Sequence, residues 1–229
     1  MDIKVIAFDA DDTLWVNEPY YQETEKNFCL LLEDYMPHHN LSKELFATEM
    51  QNLALYGYGV KSFILSMIES ALRISEKTLP IVIVEKIIQY GKDLINKEIE
   101  ILDGVEELLK AVSGKYKLVV ATKGDLLDQE RKLRNSGIEH YFHHIEIMSD
   151  KKESDYQKLI KNLDIKPEQF MMIGNSLKSD VLPILALGGY GVHIPYHTTW
   201  AHEQIESKVE HPNFLHINKL TEIIPYLNS

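Results

Sequence analysis

Three carboxylates, Asp9, Asp11 and Asp12, follow directly on the apolar run Ile3-Lys4-Val5-Ile6-Ala7-Phe8 near the N-terminus. A short apolar run that stops abruptly at acids reads as a buried strand delivering them to the edge of a sheet. Alternation along an extended segment puts Asp9 and Asp11 on one side, Ala10 and Asp12 on the other. Two carboxylates on one face repel, and a cation resolves the repulsion. A divalent metal suits them, because Mg²⁺ takes one or two carboxylates and leaves room for a substrate phosphate. Acidic clusters after strands also occur as plain solvated turns, so other strand ends must supply the rest of a site.

Three later segments offer suitable groups. The strand Lys117 to Ala121 ends at Thr122-Lys123-Gly124-Asp125. A hydroxyl there, with a lysine, a glycine and a helix start behind it, suits an anion, although Thr122 also reads as an ordinary helix cap. The strand His144 to Met148 is followed by Asp150-Lys151-Lys152, where a lysine can neutralise both a nucleophilic carboxylate and a bound phosphate. Phe170 to Ile173 ends at Gly174-Asn175-Ser176-Leu177-Lys178-Ser179-Asp180. Gly174 allows a tight turn, Asn175 offers an amide oxygen, and Asp180 stands at a helix start as a metal ligand, as an acid behind one, or merely as a cap.

The elements that must position these groups follow from periodicity. From Gly104 onward helix and strand alternate: a helix over Gly104 to Val112, a helix over Leu126 to Asn135, another over Ser154 to Asn162, helical residues Val181 to Leu187, and a strand over Gly191 to Ile194. Such alternation implies parallel strands with helices on both faces and binding sites at the carboxyl ends of the strands. The fold class is therefore α/β, a Rossmann-like doubly wound parallel sheet. Between residues 16 and 98 the pattern is helical throughout. Apolar residues recur as Phe28, Leu31, Leu32 and Tyr35, as Phe46, Met50 and Leu53, as Ile64, Met67, Ile68 and Ala71, and as Val84, Ile87 and Ile88. Residues 1–15 and 99–229 thus form the α/β core, with 16–98 an inserted helical domain of roughly four helices.

In order and content the four strand-end segments resemble the motifs of the haloacid dehalogenase superfamily. Phe8 to Leu14 is similar to its first motif, DxDx[TV]; Thr122 stands at the second, Lys151 at the third with Lys152 as substitute, and Gly174 to Asp180 looks like the GDxxxD form of the fourth. The helical insert falls where some members carry a cap. The resemblance implies a Mg²⁺-dependent phosphatase of a small phosphorylated metabolite. In it Asp9 is the nucleophile, Asp11 the general acid and base, and Thr122 and Lys151 hold the transferring oxygens. Asp9, Asp11, Asn175 and Asp180 are the implied metal ligands, Asp11 through its backbone carbonyl. Asn175 departs from the motif, whose first acid it replaces, and brings an oxygen without a charge. Asp12 is read as structural. The same resemblance leaves room for a phosphomutase, a dehalogenase or a non-catalytic binding protein.

Lys123 and Lys61 are further candidates for binding substrate, Lys61 because Leu55-Tyr56-Gly57-Tyr58-Gly59-Val60-Lys61 is the least helical stretch of the insert. His193, His197 and His202 are read as structural or peripheral, with His197, soon after the last strand, the one to test. A formal charge of −11 over 229 residues argues against nucleic acid. A single cysteine, Cys29, excludes an intrachain disulfide. With neither a signal-peptide pattern nor a run long enough for a bilayer, the expectation is a cytoplasmic protein without a membrane partner, as monomer or homodimer.

Overall fold

Within the computed structural model, which describes residues 2–205 and 208–227, the chain runs through β1 (Val5–Phe8), then four helices, α1 (Glu18–Leu31), α2 (His38–Tyr56), α3 (Val60–Ile74) and α4 (Ile81–Ile95). It continues with α5 (Val105–Val112), β2 (Lys117–Lys123), α6 (Leu126–Asn135), β3 (His144–Met148), α7 (Glu153–Asn162), β4 (Phe170–Gly174), α8 (Leu182–Ala186), β5 (Tyr190–His193) and β6 (Phe214–His216). Among the described residues the sheet has six strands in the order β3-β2-β1-β4-β5-β6, and every pairing is parallel. This is the doubly wound order, with its switch point between β1 and β4.

Side-chain alternation accounts for the two covered faces. Ile6, Phe8, Leu118, Val120, Met171 and Ile173 point into one cluster with Val105, Leu108, Leu109 and Val112 of α5. Their neighbours Val5, Ala7, Val119, Ala121, Phe170 and Met172 point into another with Tyr156, Leu159 and Ile160 of α7 and Ile184 of α8. A strand covered on both faces has no polar position, which is why β1 reads as an unbroken apolar run. β6 escapes sequence reading because three residues are too few to show a period.

Contacts divide the chain into two compact units. One holds the sheet and comprises the chain up to Glu18, Ile99–Lys123 and from Gln129 onward; the other comprises Pro19–Glu98 with Gly124–Asp128. The second unit packs Phe28, Cys29 and Leu32 of the first helical segment against Leu41, Leu45, Phe63, Met67, Ala71, Ile87 and Leu94. The stripe expected for α2 is displaced: Phe46 is exposed, and the buried positions are Leu41, Leu45, Thr48 and Asn52. Two of these are polar because α2 meets α3 through a hydrogen-bonded seam. Ser70 Oγ donates to Thr48 Oγ1 at 2.8 Å, and Asn52 Nδ2 donates to Ser66 Oγ and to Glu69 Oε2, each at 3.1 Å. Tyr35 and Ile88 are likewise exposed rather than part of the packed stripes.

Candidate active site

β1 stops at Phe8, and Asp9 is locked to β4 by its backbone N–H, which donates to Ile173 O at 2.9 Å. Its side chain is 10% exposed. Lys151, at the start of the turn after β3, donates to Asp9 Oδ1 and, at 2.7 Å, to Asp180 Oδ1. Asp180 Oδ2 in turn accepts from Ser176 N at 3.0 Å. Lys151 is thus the lysine that reaches Asp9, whereas Lys152 is exposed and pairs with Asp150. Thr13 Oγ1 ties the first and fourth segments, donating to Asp9 Oδ2 at 3.3 Å and accepting from Asn175 N at 3.1 Å. Gly174 permits this closeness: a Cβ built on it would lie 2.3 Å from Asp180 Oδ2.

The turn after β4 begins earlier than the expected helix. Ser176 accepts from Ser179 N, a π-helical turn covers Leu177–Val181, and α8 starts only at Leu182. Such turns recur where a helix presents a functional group, and here the turn aims Asp180 back at Lys151. His193 backs the same turn, its Nε2 bonding the carbonyl oxygen of Asn175 at 3.0 Å. This contact gives His193 a structural place beside the turn, while His197 is exposed beside Tyr196.

Alternation does not extend to Asp11, since the strand ends at Phe8 and Asp12 takes a left-handed backbone with φ 60°. The Asp11 carboxylate instead accepts from Trp15 Nε1 at 2.8 Å, from Lys132 Nζ at 3.0 Å and from Gln129 Nε2 at 2.9 Å. The same Gln129 nitrogen reaches Thr122 Oγ1 at 3.1 Å, so one α6 side chain links Asp11 with Thr122. Asp12 accepts from the backbone N–H groups of Asn17 and Glu18 and caps the start of α1. Trp15, Gln129 and Lys132 were invisible to sequence reading, though their spacing from known positions is regular. Trp15 follows Asp11 by four residues, and Gln129 and Lys132 lie three apart on one helical face.

Two substrate candidates have other partners. Lys123 Nζ donates to Glu203 Oε1 at 2.5 Å and to Ser179 Oγ at 3.0 Å. Lys61 belongs to the helical unit, where it pairs with Asp125 at 2.8 Å. The turn before Lys61 needs its glycine: at Gly59, φ is 108° and a Cβ would lie 2.8 Å from Asp125 N.

Charge in the core cluster is unbalanced, two carboxylates sharing one ammonium. Burial pushes the Asp9 carboxyl up to about 7; Lys151 opposes the rise, and Asp180 and Asp11 add to it. Burial also disfavours the Lys151 ammonium, but the adjacent Asp180 and Asp9 outweigh it and push the group above its ordinary range. Among the described residues no group of three or more His, Cys, Asp or Glu side chains is gathered as a metal cage. The donor set is two carboxylates and the Asn175 amide, all oxygen, and a deficit of positive charge fits a hard divalent cation.

A model of the haloacid dehalogenase-like hydrolase family matches residues 3–188. The chain belongs to this family. The hydrolase is similar to a haloacid dehalogenase-like hydrolase from Xanthomonas campestris, with 34% identity and a TM-score of 0.89 over 99% of this chain and 91% of that one. It is 23% identical over 185 residues, 78% of each chain, to the glyceraldehyde 3-phosphate phosphatase of Methanopyrus kandleri. Its fold is shared with a magnesium-bound hydrolase of the same superfamily from Bacillus subtilis, at a TM-score of 0.66 and 18% identity over the full length of both chains. No helix among its described residues is long and apolar enough to cross a membrane.

Proposed function

We propose that this hydrolase is a Mg²⁺-dependent phosphatase that cleaves a small phosphorylated metabolite through an aspartyl-phosphate on Asp9. The observation that carries the reading is the buried Asp9–Lys151–Asp180 cluster at the β1 and β4 ends, one positive charge short of balance. The similarity to a phosphatase of a three-carbon sugar phosphate supports the same reading. A second acid two residues after the nucleophile supports a phosphatase over a dehalogenase, because hydrolysis of a phosphate ester needs a proton donor to the leaving oxygen.

In this mechanism an Asp9 carboxylate oxygen attacks phosphorus, and the bond from phosphorus to the leaving oxygen breaks. Asp11, once released from the Trp15, Lys132 and Gln129 donors and protonated, gives its proton to that oxygen. Water then attacks the phosphoryl group while Asp11 takes a proton back, and inorganic phosphate leaves with Asp9 restored. Thr122 and Lys151 hold the equatorial oxygens, where their donors stabilise the spread charge of the transition state. Asp9, Asn175, Asp180 and the Asp11 carbonyl would hold Mg²⁺, which when bound screens the attacking carboxylate from the phosphate. The helical unit is the proposed cap, and its Gly57 to Lys61 turn the proposed reader of the leaving group. Gln129 sets the direction of the Asp11 carboxylate.

Hydrolysis of a generic aryl phosphate and of a panel of phosphometabolites that includes glyceraldehyde 3-phosphate, with Mg²⁺ or with EDTA, tests the reading. Turnover that needs Mg²⁺ and is lost in Asp9→Asn is the expected result. Turnover of 2-haloacids without Mg²⁺, and none of phosphate esters, overturns it.

A further inference from the structure

Outside the four motif segments, one carboxylate is as fully engaged as those inside them. Glu203 lies in a short 3-10 turn, Ala201–Glu203, in the irregular stretch after β5. Its side chain is 12% exposed. Glu203 Oε1 accepts from Lys123 Nζ at 2.5 Å, and Oε2 accepts from Ser176 Oγ at 2.6 Å and from Ser179 Oγ at 2.5 Å. The hydroxyls have consistent roles. Each serine donates to Glu203, while Ser176 Oγ accepts from Ser179 N and Ser179 Oγ accepts from Lys123 Nζ. On the other side of the turn, the Tyr156 hydroxyl donates to Ser179 O at 3.0 Å.

Ser176 and Ser179 are not incidental surface serines. Ser176 immediately precedes the π-helical turn and Ser179 lies within it next to Asp180, and Ser176 N itself holds Asp180 Oδ2. Lys123 is the residue after Thr122 at the end of β2. Glu203 therefore bolts two strand ends together from outside: the end bearing Thr122 and the turn bearing Asn175 and Asp180.

The geometry points to Glu203 as a positioning residue for the metal and phosphate site, acting through Ser176, Ser179 and Lys123. This rests on the Mg²⁺-phosphatase reading above. Without the carboxylate, the serines lose their common acceptor, and the Lys123 ammonium loses its counter-charge next to the Asp180 turn. An outer partner of this kind typically tunes metal affinity about 10- to 100-fold. It does so without touching the metal.

Calorimetric titration of Mg²⁺ into the full chain decides the matter, comparing wild type with Glu203→Gln and Ser179→Ala below their melting temperatures. Glu203→Gln keeps the shape and removes the charge, and it is expected to weaken Mg²⁺ binding about tenfold or more. Ser179→Ala is expected to weaken it less. In turnover assays Glu203→Gln should raise the Mg²⁺ concentration needed for half-maximal rate more than it lowers kcat at saturating Mg²⁺. Unchanged Mg²⁺ affinity in Glu203→Gln, even with a lowered Tm, makes Glu203 a structural tie only and overturns the inference. So does unchanged Mg²⁺ affinity with new binding of inorganic phosphate, which would mark Glu203 as a shield for Lys123. If Glu203→Gln does not fold, Ser179→Ala decides by the same measure: weakened Mg²⁺ binding supports the inference and unchanged binding overturns it. Wild-type chain that binds no Mg²⁺ overturns the metal reading as well, whereas wild-type binding matched by the variant overturns this inference alone.

Discussion

A carboxylate at a strand end acquires a role from what surrounds it, and here the surroundings differ sharply over a few residues. Asp9 is buried against an ammonium, Asp11 is held by an indole, an amide and a second ammonium, and Asp12 caps a helix. The sequence identifies all three acids and sets Asp12 apart as structural, but it does not place the Asp11 carboxylate, because alternation presumes an extended chain and Asp12 turns it left-handed. Gly174 is legible as a turn residue, yet its stronger reason is the Asp180 carboxylate lying where a Cβ would go. Gly174→Ala is accordingly expected to displace Asp180 and reduce Mg²⁺-dependent kcat/KM about 100-fold, with the loss read by steady-state kinetics. Gln129→Leu removes the donor shared by Asp11 and Thr122. It is expected to lower kcat about tenfold or more while leaving Mg²⁺ affinity near wild type, since Gln129 meets the Asp11 carboxylate and not the backbone carbonyl proposed as a ligand.

Elements were easier to read than the faces they present. The bounds of α6 and β3 match their sequence patterns residue for residue, because each is a simple periodic run between turn residues. The buried side of α2 was not legible, since a period search seeks apolar residues and half of that face is Thr48 and Asn52. A polar seam of this kind is held by completeness: every partner must remain. Thr48→Val leaves the fully buried Ser70 hydroxyl without its acceptor. The expected cost is about 1–3 kcal/mol, measured by urea unfolding of the helical signal. Arg73, which also reaches Thr48 Oγ1 at 2.7 Å, would lose that acceptor too. Glu203 sits at the opposite extreme of legibility, in a stretch with no period and no motif, so only three-dimensional contacts reveal it.

At the scale of the whole molecule the acids set how stability responds to pH. Burial raises the Glu203 carboxyl, but Lys123 and the hydrogen bonds from Lys123, Ser176 and Ser179 outweigh it and hold the group down at about 2 against an ordinary 4.5. A depressed carboxyl stabilises the fold above its unfolded pKa, and that contribution, on the order of 3 kcal/mol, is lost as the pH falls from about 4.5 through about 2. Asp9 and Asp12, both raised by burial from 3.8 to about 7, act in the opposite sense. Their contribution is complete below 3.8 and is lost as the pH rises through about 7. In EDTA the unfolding free energy should therefore rise on acidification from about pH 8 to about pH 5, then fall, with Glu203→Gln flattening only the acid limb. With Asp9 a Mg²⁺ ligand as proposed, the metal would compete with a proton there, and its thermal stabilisation is expected to be larger at about pH 8 than at about pH 5.5. Cys29 adds a different property to the molecule. It is the sole thiol, its side chain is fully enclosed in the helical unit, and burial together with Glu25 pushes it up to about 11. A thiol reagent can reach it only when those helices part. The native chain thus contains its own stopwatch for opening of the helical unit, one that needs no introduced label and does not register events in the sheet.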